Sequence, residues 1–245
     1  MRFHSPRSVH VPLEVPGWRT PLRLAHLTDL HAGIVTPARL LHDAVDLAND
    51  SDPDLVVLTG DYVARSLNHL DTLVGALERL RTQAIAVLGN HDHWCGAPAV
   101  REALEQAGVK VLENAHWDLG DVALVGLDDG VTGHADVDRA THGMGDKPAV
   151  ALSHDPACAP ALWDRGAAVV MSGHTHAGQG VSPAIWSALG VKFLHGLYGE
   201  PGAQLYVSAG VGSAVVPWRA GKGRREVAVL EVAGEKPVDV ISTGA

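Results

Sequence analysis

Only two cysteines, Cys95 and Cys158, occur in the 245 residues, and they have no Cys-x-x-Cys spacing. That excludes a disulfide framework and fits a reducing compartment, with one Cys95–Cys158 bridge left open as a pairing. Basic clusters are equally scarce. The formal net charge is −9 and no Lys/Arg block exceeds Arg224-Arg225, which removes the electrostatic footprint expected of a nucleic-acid binder. An anionic substrate would need a local positive source, and bound metal ions could be that source. No apolar run approaches the ~18–20 residues of a membrane span. The start, Met1 to Arg7, has no apolar region of the roughly 7–15 residues that a secretory signal requires. The expectation is therefore a cytoplasmic protein without a transmembrane segment. Repeats, low-complexity tracts and linkers are also missing, which leaves a single domain over residues 1–245, with the tail after Gly234 read as a frayed terminus.

What is present is an ordinary globular composition, 46% apolar and 19% charged, enough to bury a substantial core. Leu22–Leu27 alternates and reads as a strand that exits into Thr28-Asp29-Leu30-His31. Thr36-Pro37 reads as an N-cap with proline at the first helical position. The stripe Leu40, Leu41, Ala44, Val45, Leu47 and Ala48 carries that helix to about Asn49. Asp54–Leu58 is a buried-type strand stopping at Thr59-Gly60-Asp61. A helix over about Leu67–Leu80 follows, and the strand Ala84–Leu88 runs into Gly89-Asn90-His91-Asp92. This alternation is an α/β pattern with parallel pairing. After a third helix, Pro98–Ala107 with Gly108 as its stop, strands dominate: Val109–Leu112, Val122–Leu127, Ala149–Leu152, Ala167–Met171, Gln204–Ser208 and Val227–Val232. These belong in a mixed sheet or in a second sheet packed on the first. Residues 178–202 form a long insertion containing Trp186, Leu189, Phe193, Leu197 and Tyr198, a length often functional in a compact domain.

Five strands run into residues able to bind metal: Asp29 and His31, Asp61, Asn90 and His91, His154, and His174 with His176. The carboxyl ends of strands are where α/β sites collect. In Asp29-x-His31 and His174-x-His176, alternate residues of an extended segment share a face and can converge on one ion or serve two neighbouring ions. Asp61 could bridge two ions through its two oxygens. Imidazole, carboxylate and amide without thiolate favour Mn, Fe or Zn, with Mg a further option, over soft-metal chemistry.

In this order Asp29-x-His31, Gly60-Asp61, Gly89-Asn90-His91-Asp92, His154 and Gly173-His174-Thr175-His176 resemble the calcineurin-like metallophosphoesterases. The likeness runs from about Leu22 to Arg219 and looks closest to the small bacterial branch of YkuE- and YaeI-like phosphodiesterases. It implies two packed mixed β-sheets flanked by helices, a four-layer αββα fold. It implies two divalent metal ions, one held by Asp29, His31, Asp61 and His176, the other by Asp61, Asn90, His154 and His174. It implies His91 as a metal-free catalytic acid, with Asp92 fixing the His91 tautomer through a hydrogen bond. The implied reaction is metal-dependent hydrolysis of a phosphodiester or pyrophosphate. The alternatives are a broad phosphomonoesterase, a UDP-diacylglucosamine or phospholipid hydrolase, and a non-catalytic scaffold. The implied partner is a phosphorylated small molecule or lipid. The chain departs from many relatives at Ala64, where they carry a second Asp.

Other constellations are weaker. Ser153-His154-Asp155 cannot form a triad, because consecutive residues of an extended segment point apart. His26 reads as structural, His93 and His195 as candidates to line a cleft. Arg165 and Arg219 are candidates to clamp a second phosphate.

Overall fold

The computed structural model describes residues 4–179, 183–214 and 223–234. In chain order the strands are β1 (Arg7–Glu14), β2 (Leu22–Leu27), β3 (Leu55–Thr59), β4 (Ala84–Val87), β5 (Val109–Val111), β6 (Ala115–Asp118), β7 (Ala123–Gly126), β8 (Ala149–Leu152), β9 (Ala167–Ser172), β10 (Gly196–Glu200), β11 (Ala203–Val207) and β12 (Glu226–Ala233). The helices are α1 (Ala38–Asp50), α2 (Leu70–Leu77), α3 (Asn90–Cys95), α4 (Ala97–Gln106), α5 (Val137–Thr141), α6 (Ala159–Trp163) and α7 (Pro183–Ala188). One sheet has the order β1-β12-β2-β3-β4-β5 and the other β10-β11-β9-β8-β7-β6. Both are mixed: β12 is antiparallel to β2 in the first, and β10 and β6 are antiparallel to their neighbours in the second.

The period of two along each strand sorts side chains into layers. In β4, Ile85 and Val87 point into the cluster between the sheets, where they meet Leu124, Val150, Leu152 and Met171 of the second sheet. The alternate residues Ala84 and Ala86 face outward, under Leu41, Val45, Leu73, Leu77 and Leu104 of α1, α2 and α4. On the far side, Val125, Ala151 and Val170 pack beneath Ala140 of α5 and Leu162 of α6. Three apolar clusters thus separate four layers, helix, sheet, sheet, helix, as expected. The second group of strands forms a second sheet rather than extending the first.

The differences from the sequence reading are local. Thr36 does not cap α1. Its hydroxyl accepts from the Ser213 backbone N–H at 3.1 Å, and Pro37 is the residue that precedes the helix. The 178–202 insertion is not one irregular loop, since it carries α7 and β10, and β10 extends the second sheet. Both cysteines are free, which removes the open pairing. The tail after Gly234 and Arg219 lie outside the described residues. No helix among the described residues is long and apolar enough to cross a membrane.

Candidate metal centre

Strands β2, β3, β4, β8 and β9 all deliver their C-terminal residues to one place. Asp29 and His31 follow β2, Asp61 follows β3, Asn90 follows β4, His154 follows β8, and His174 and His176 follow β9. All except His174 and His176 are buried. The chain does not reach this point extended, as the Asp-x-His and His-x-His spacings suggested. Asp29 (φ 51°), His31 (φ 44°), Asp61 (φ 57°), His174 (φ 71°) and His176 (φ 50°) all adopt the left-handed region. Each such residue costs about 1–3 kcal/mol that the surrounding packing must offset, and strain of this kind collects at functional sites. Convergence is produced by these kinks, not by the pleat.

Close backbone approach makes the kinks possible. A Cβ on Gly89 would lie 2.5 Å from Asp61 Oδ1 and 2.6 Å from the Asp61 nitrogen. Only glycine lets the β3 and β4 exits come this near.

Three groups of potential ligand atoms lie within 4.8 Å of one another: Asp29, His31 and His176; His31, Asp61 and His91; and Asp29, Asp61 and His154. Asp61 is central. Its Oδ2 is 3.5 Å from His31 Nε2 and 3.3 Å from His154 Nε2. Asn90 Oδ1 reaches the same His154 nitrogen at 3.1 Å. His176 Nε2 lies 3.0 Å from His31 Nε2 and 3.4 Å from Asp29 Oδ1. His174 belongs to none of these tight groups among the described residues; its ring stands edge-on to His154 with centroids 5.1 Å apart.

Several of these candidate ligands are oriented by groups that spacing does not reveal. His154 Nδ1 donates to the Thr59 carbonyl oxygen at 2.7 Å, and His31 Nδ1 to that of Val63 at 3.3 Å. Both Nε2 atoms are thereby left as lone pairs aimed at carboxylate and amide oxygens. Thr28 Oγ1 donates to Asp29 Oδ2 at 2.9 Å, the His91 N–H to Asp61 Oδ1 at 2.9 Å, and the His174 N–H to Asp29 at 3.2 Å. A cluster of lone pairs facing lone pairs fits divalent cations. The same oxygens favour a proton on His154: burial disfavours its charged form, but the Asp61 charge and hydrogen bond outweigh it and hold its pKa up at about 10. Burial likewise opposes ionisation of Asp61, yet His154, His31 and His91 hold it well below the usual carboxylate range.

Asp92 is not the partner of His91. His91 Nδ1 instead faces the Ala64 carbonyl oxygen. Asp92 is fully buried and accepts four backbone N–H groups, from Asp61 (2.8 Å), Tyr62 (2.8 Å), Val63 (3.3 Å) and Gly89 (2.9 Å). The reason is that Gly89-Asn-His-Asp92 opens helix α3, and the carboxylate at the third helical position turns back to the cap N–H. That turn aims it at the β3 exit loop, away from the His91 ring. Ala64 thus orients His91 through its backbone.

Three other candidates have partners outside the cluster, and His93 does line a cavity, with Trp94 and His134. Arg165 pairs with Asp138, His93 Nε2 bonds Asp128 Oδ1 at 2.7 Å, and His195 Nε2 lies 3.2 Å from the buried Glu226. His26 is structural as expected, bonded to Thr59 Oγ1 at 2.8 Å.

Residues 22–178 match the calcineurin-like phosphoesterase family over more than half of the chain. The chain belongs to that family. An uncharacterized metallophosphoesterase of Helicobacter pylori is 29% identical over 87% of this chain and 60% of its own length. Phosphodiesterase YaeI of Escherichia coli is 30% identical over 79% of this chain and 76% of its own. Against the first of these the chain spans about three fifths of the relative's length. A dimetal phosphatase from Danio rerio is similar in fold, at 13% identity and a TM-score of 0.51, covering 79% of this chain and 89% of that one.

Proposed function

We infer that the chain hydrolyses phosphodiester or pyrophosphate bonds at a pair of divalent cations. The observation that carries this reading is Asp61 Oδ2, set between His31 Nε2 at 3.5 Å and His154 Nε2 at 3.3 Å. A carboxylate between two imidazole lone pairs suits a bridge between two ions. Asp29, His31 and His176 would complete one site, and Asn90 and His154 the other, with His174 at its edge. Bound there, the cations would supply positive charge to the phosphoryl oxygens and make hydroxide accessible near neutral pH. The Escherichia coli relative's description as a phosphodiesterase supports the diester reading.

The chain's own residues supply the rest. With Nδ1 held by the Ala64 carbonyl, His91 has Nε2 left for chemistry. Its ring is stacked edge-on to His31 at 4.8 Å and tilted against Trp94 at 5.1 Å, which restricts its rotation. As water oxygen bonds to phosphorus, the bond to the leaving oxygen breaks, and imidazolium His91 gives that oxygen its proton. This role is worth roughly 10²–10⁴-fold. His91→Ala is therefore expected to keep its metal and lose turnover by about that factor. A variant purified without its ions would remove His91 from the acid role and make it a ligand.

Hydrolysis of bis(p-nitrophenyl) phosphate against p-nitrophenyl phosphate, with Mn added, tests the reaction class. The diester is expected to be the better substrate, with activity lost on chelation and restored by metal. Activity that survives chelation would sink the mechanism, and a preference for the monoester would make the protein a phosphomonoesterase.

A further inference from the structure

Beside the metal centre, on the His174 side, is a cavity of about 420 Å³. Pro156 and Pro160 line it together with Trp186, Leu189, Val191 and Phe193 of the insertion, and its polar lining is Asp155, His174, Thr175 and Lys192. His174 belongs to both the cavity and the ligand constellation, so a substituent on a phosphoryl group held there has this space beside it.

The insertion wall is fixed from behind. Thr175 Oγ1 donates to the Leu194 carbonyl at 2.6 Å, and Tyr198 Oη accepts from the Leu194 and His195 N–H groups at 2.9 and 3.2 Å. Phe193 is locked edge-on between Trp163 and Tyr198. The cavity is thus part of the packed structure.

Its chemistry selects among occupants. The Thr175 hydroxyl is already spent on Leu194, and Asp155 Oδ1 on the Ala157 N–H at 2.9 Å. Trp186 Nε1 is buried and has no hydrogen-bond partner among the described residues, and Lys192 is exposed, which leaves few donors and acceptors inside for a polar occupant. A nucleobase or sugar would lose its hydrogen bonds to water here and regain few, a costly exchange. A hydrocarbon loses nothing. The apolar character also continues outward: Leu189 is 70% exposed and Ile185 53% exposed on the same helix and turn. Exposed large apolar side chains grouped at a pocket mouth mark a binding surface.

We propose that the cavity between Pro156–Pro160 and Trp186–Phe193 binds an alkyl chain esterified to the phosphate, so that the substrate is an amphiphilic phosphodiester. This rests on the phosphodiesterase reading above. The chain lies against Val191, Phe193 and Trp186, and a longer one leaves past Leu189 and Ile185.

The test uses two p-nitrophenyl diesters with the same chromogenic group, methyl p-nitrophenyl phosphate and octyl p-nitrophenyl phosphate, with Mn-loaded protein. Burial of each methylene is worth about fourfold, so a chain with several methylenes enclosed should raise kcat/KM tens- to hundreds-fold. Octyl phosphate and methyl phosphate titrated into the same protein by calorimetry give a readout independent of turnover, and octyl phosphate should bind more tightly by a similar ratio. Leu189→Asp at the exposed rim and Ala157→Phe, which narrows the cavity, should each collapse both ratios toward one. Equal handling of methyl and octyl compounds, with the diesters still hydrolysed, would overturn the cavity assignment and leave the phosphodiesterase reading standing. Tight octyl phosphate binding that both variants abolish, without turnover of either diester, would uphold the cavity and refute the phosphodiesterase reading.

Discussion

Asp61→Ala will purify with less metal at both sites and with turnover reduced beyond the roughly 10²–10⁴-fold assigned to proton transfer by His91. The argument is geometric. Asp61 Oδ2 is within 3.5 Å of His31 Nε2 and 3.3 Å of His154 Nε2, so on the two-ion reading proposed above its loss would take a ligand from each half of the centre. Its other oxygen accepts the His91 N–H at 2.9 Å, so the same substitution frees the start of α3 and the acid residue it carries. His154 loses as well, because the Asp61 charge is what offsets its burial. His91→Ala, by contrast, leaves this carboxylate and both neighbouring imidazoles in place. Metal content measured on the two variants side by side separates the roles. Asp61→Ala retaining two ions per chain would dismiss Asp61 as the bridge, and equal metal loss in both variants would erase the distinction between ligand and acid.

The sequence exposes the donor atoms of this centre but hides how they are aimed. Leu27, Leu58, Leu88, Leu152 and Met171 each end or closely precede the end of an apolar run, and the polar residues after them have no place in a core. Five such exits could be read directly, and parallel pairing then brings them together. The left-handed backbone at Asp29, His31, His174 and His176 could not be read, because the spacing of two looks the same in an extended chain as in a kinked one. His174 stands outside the tight ligand groups among the described residues and His176 inside one, although the pattern treats the two alike. Carbonyl groups of Thr59, Val63 and Ala64 orient three imidazoles, and a carbonyl leaves no mark on residue type. In the fold, β1 alternates through Val9, Val11 and Leu13 but carries Pro12. It is tolerated because β1 is an edge strand, and its partner β12 begins only at Glu226. Helix α7 and strand β10 have six and five residues, too few for a period to declare itself.

Asp92→Ala is expected to act on stability first and on catalysis only through it. The Asp92 carboxylate is fully buried and accepts four backbone N–H groups, from Asp61, Tyr62, Val63 and Gly89. Burial and then the Asp61 charge push its pKa up, to about 7, and the N–H donors work in the opposite direction by favouring the anion. Removing the side chain leaves those donors without an acceptor in a dry site. Each orphaned group costs about 1–3 kcal/mol, with the weakest at 3.3 Å contributing least, and partial relaxation brings the sum to about 3–6 kcal/mol. That is a large part of the roughly 5–15 kcal/mol that holds a domain folded. For a chain of this size it corresponds to a fall in Tm on the order of 10–20 °C. Asp92→Asn keeps one acceptor oxygen but turns an NH₂ donor toward N–H groups, so it should recover only part of the loss. A residue that merely set the His91 tautomer would behave differently: both variants would melt like the parent, and the defect would lie in kcat and its pH profile. Unchanged Tm in Asp92→Ala would therefore return Asp92 to the catalytic pair. A fall in Tm graded from Asn to Ala, with metal affinity declining in parallel, would identify it as the clamp that holds the β3 exit, and with it Asp61, against the start of α3.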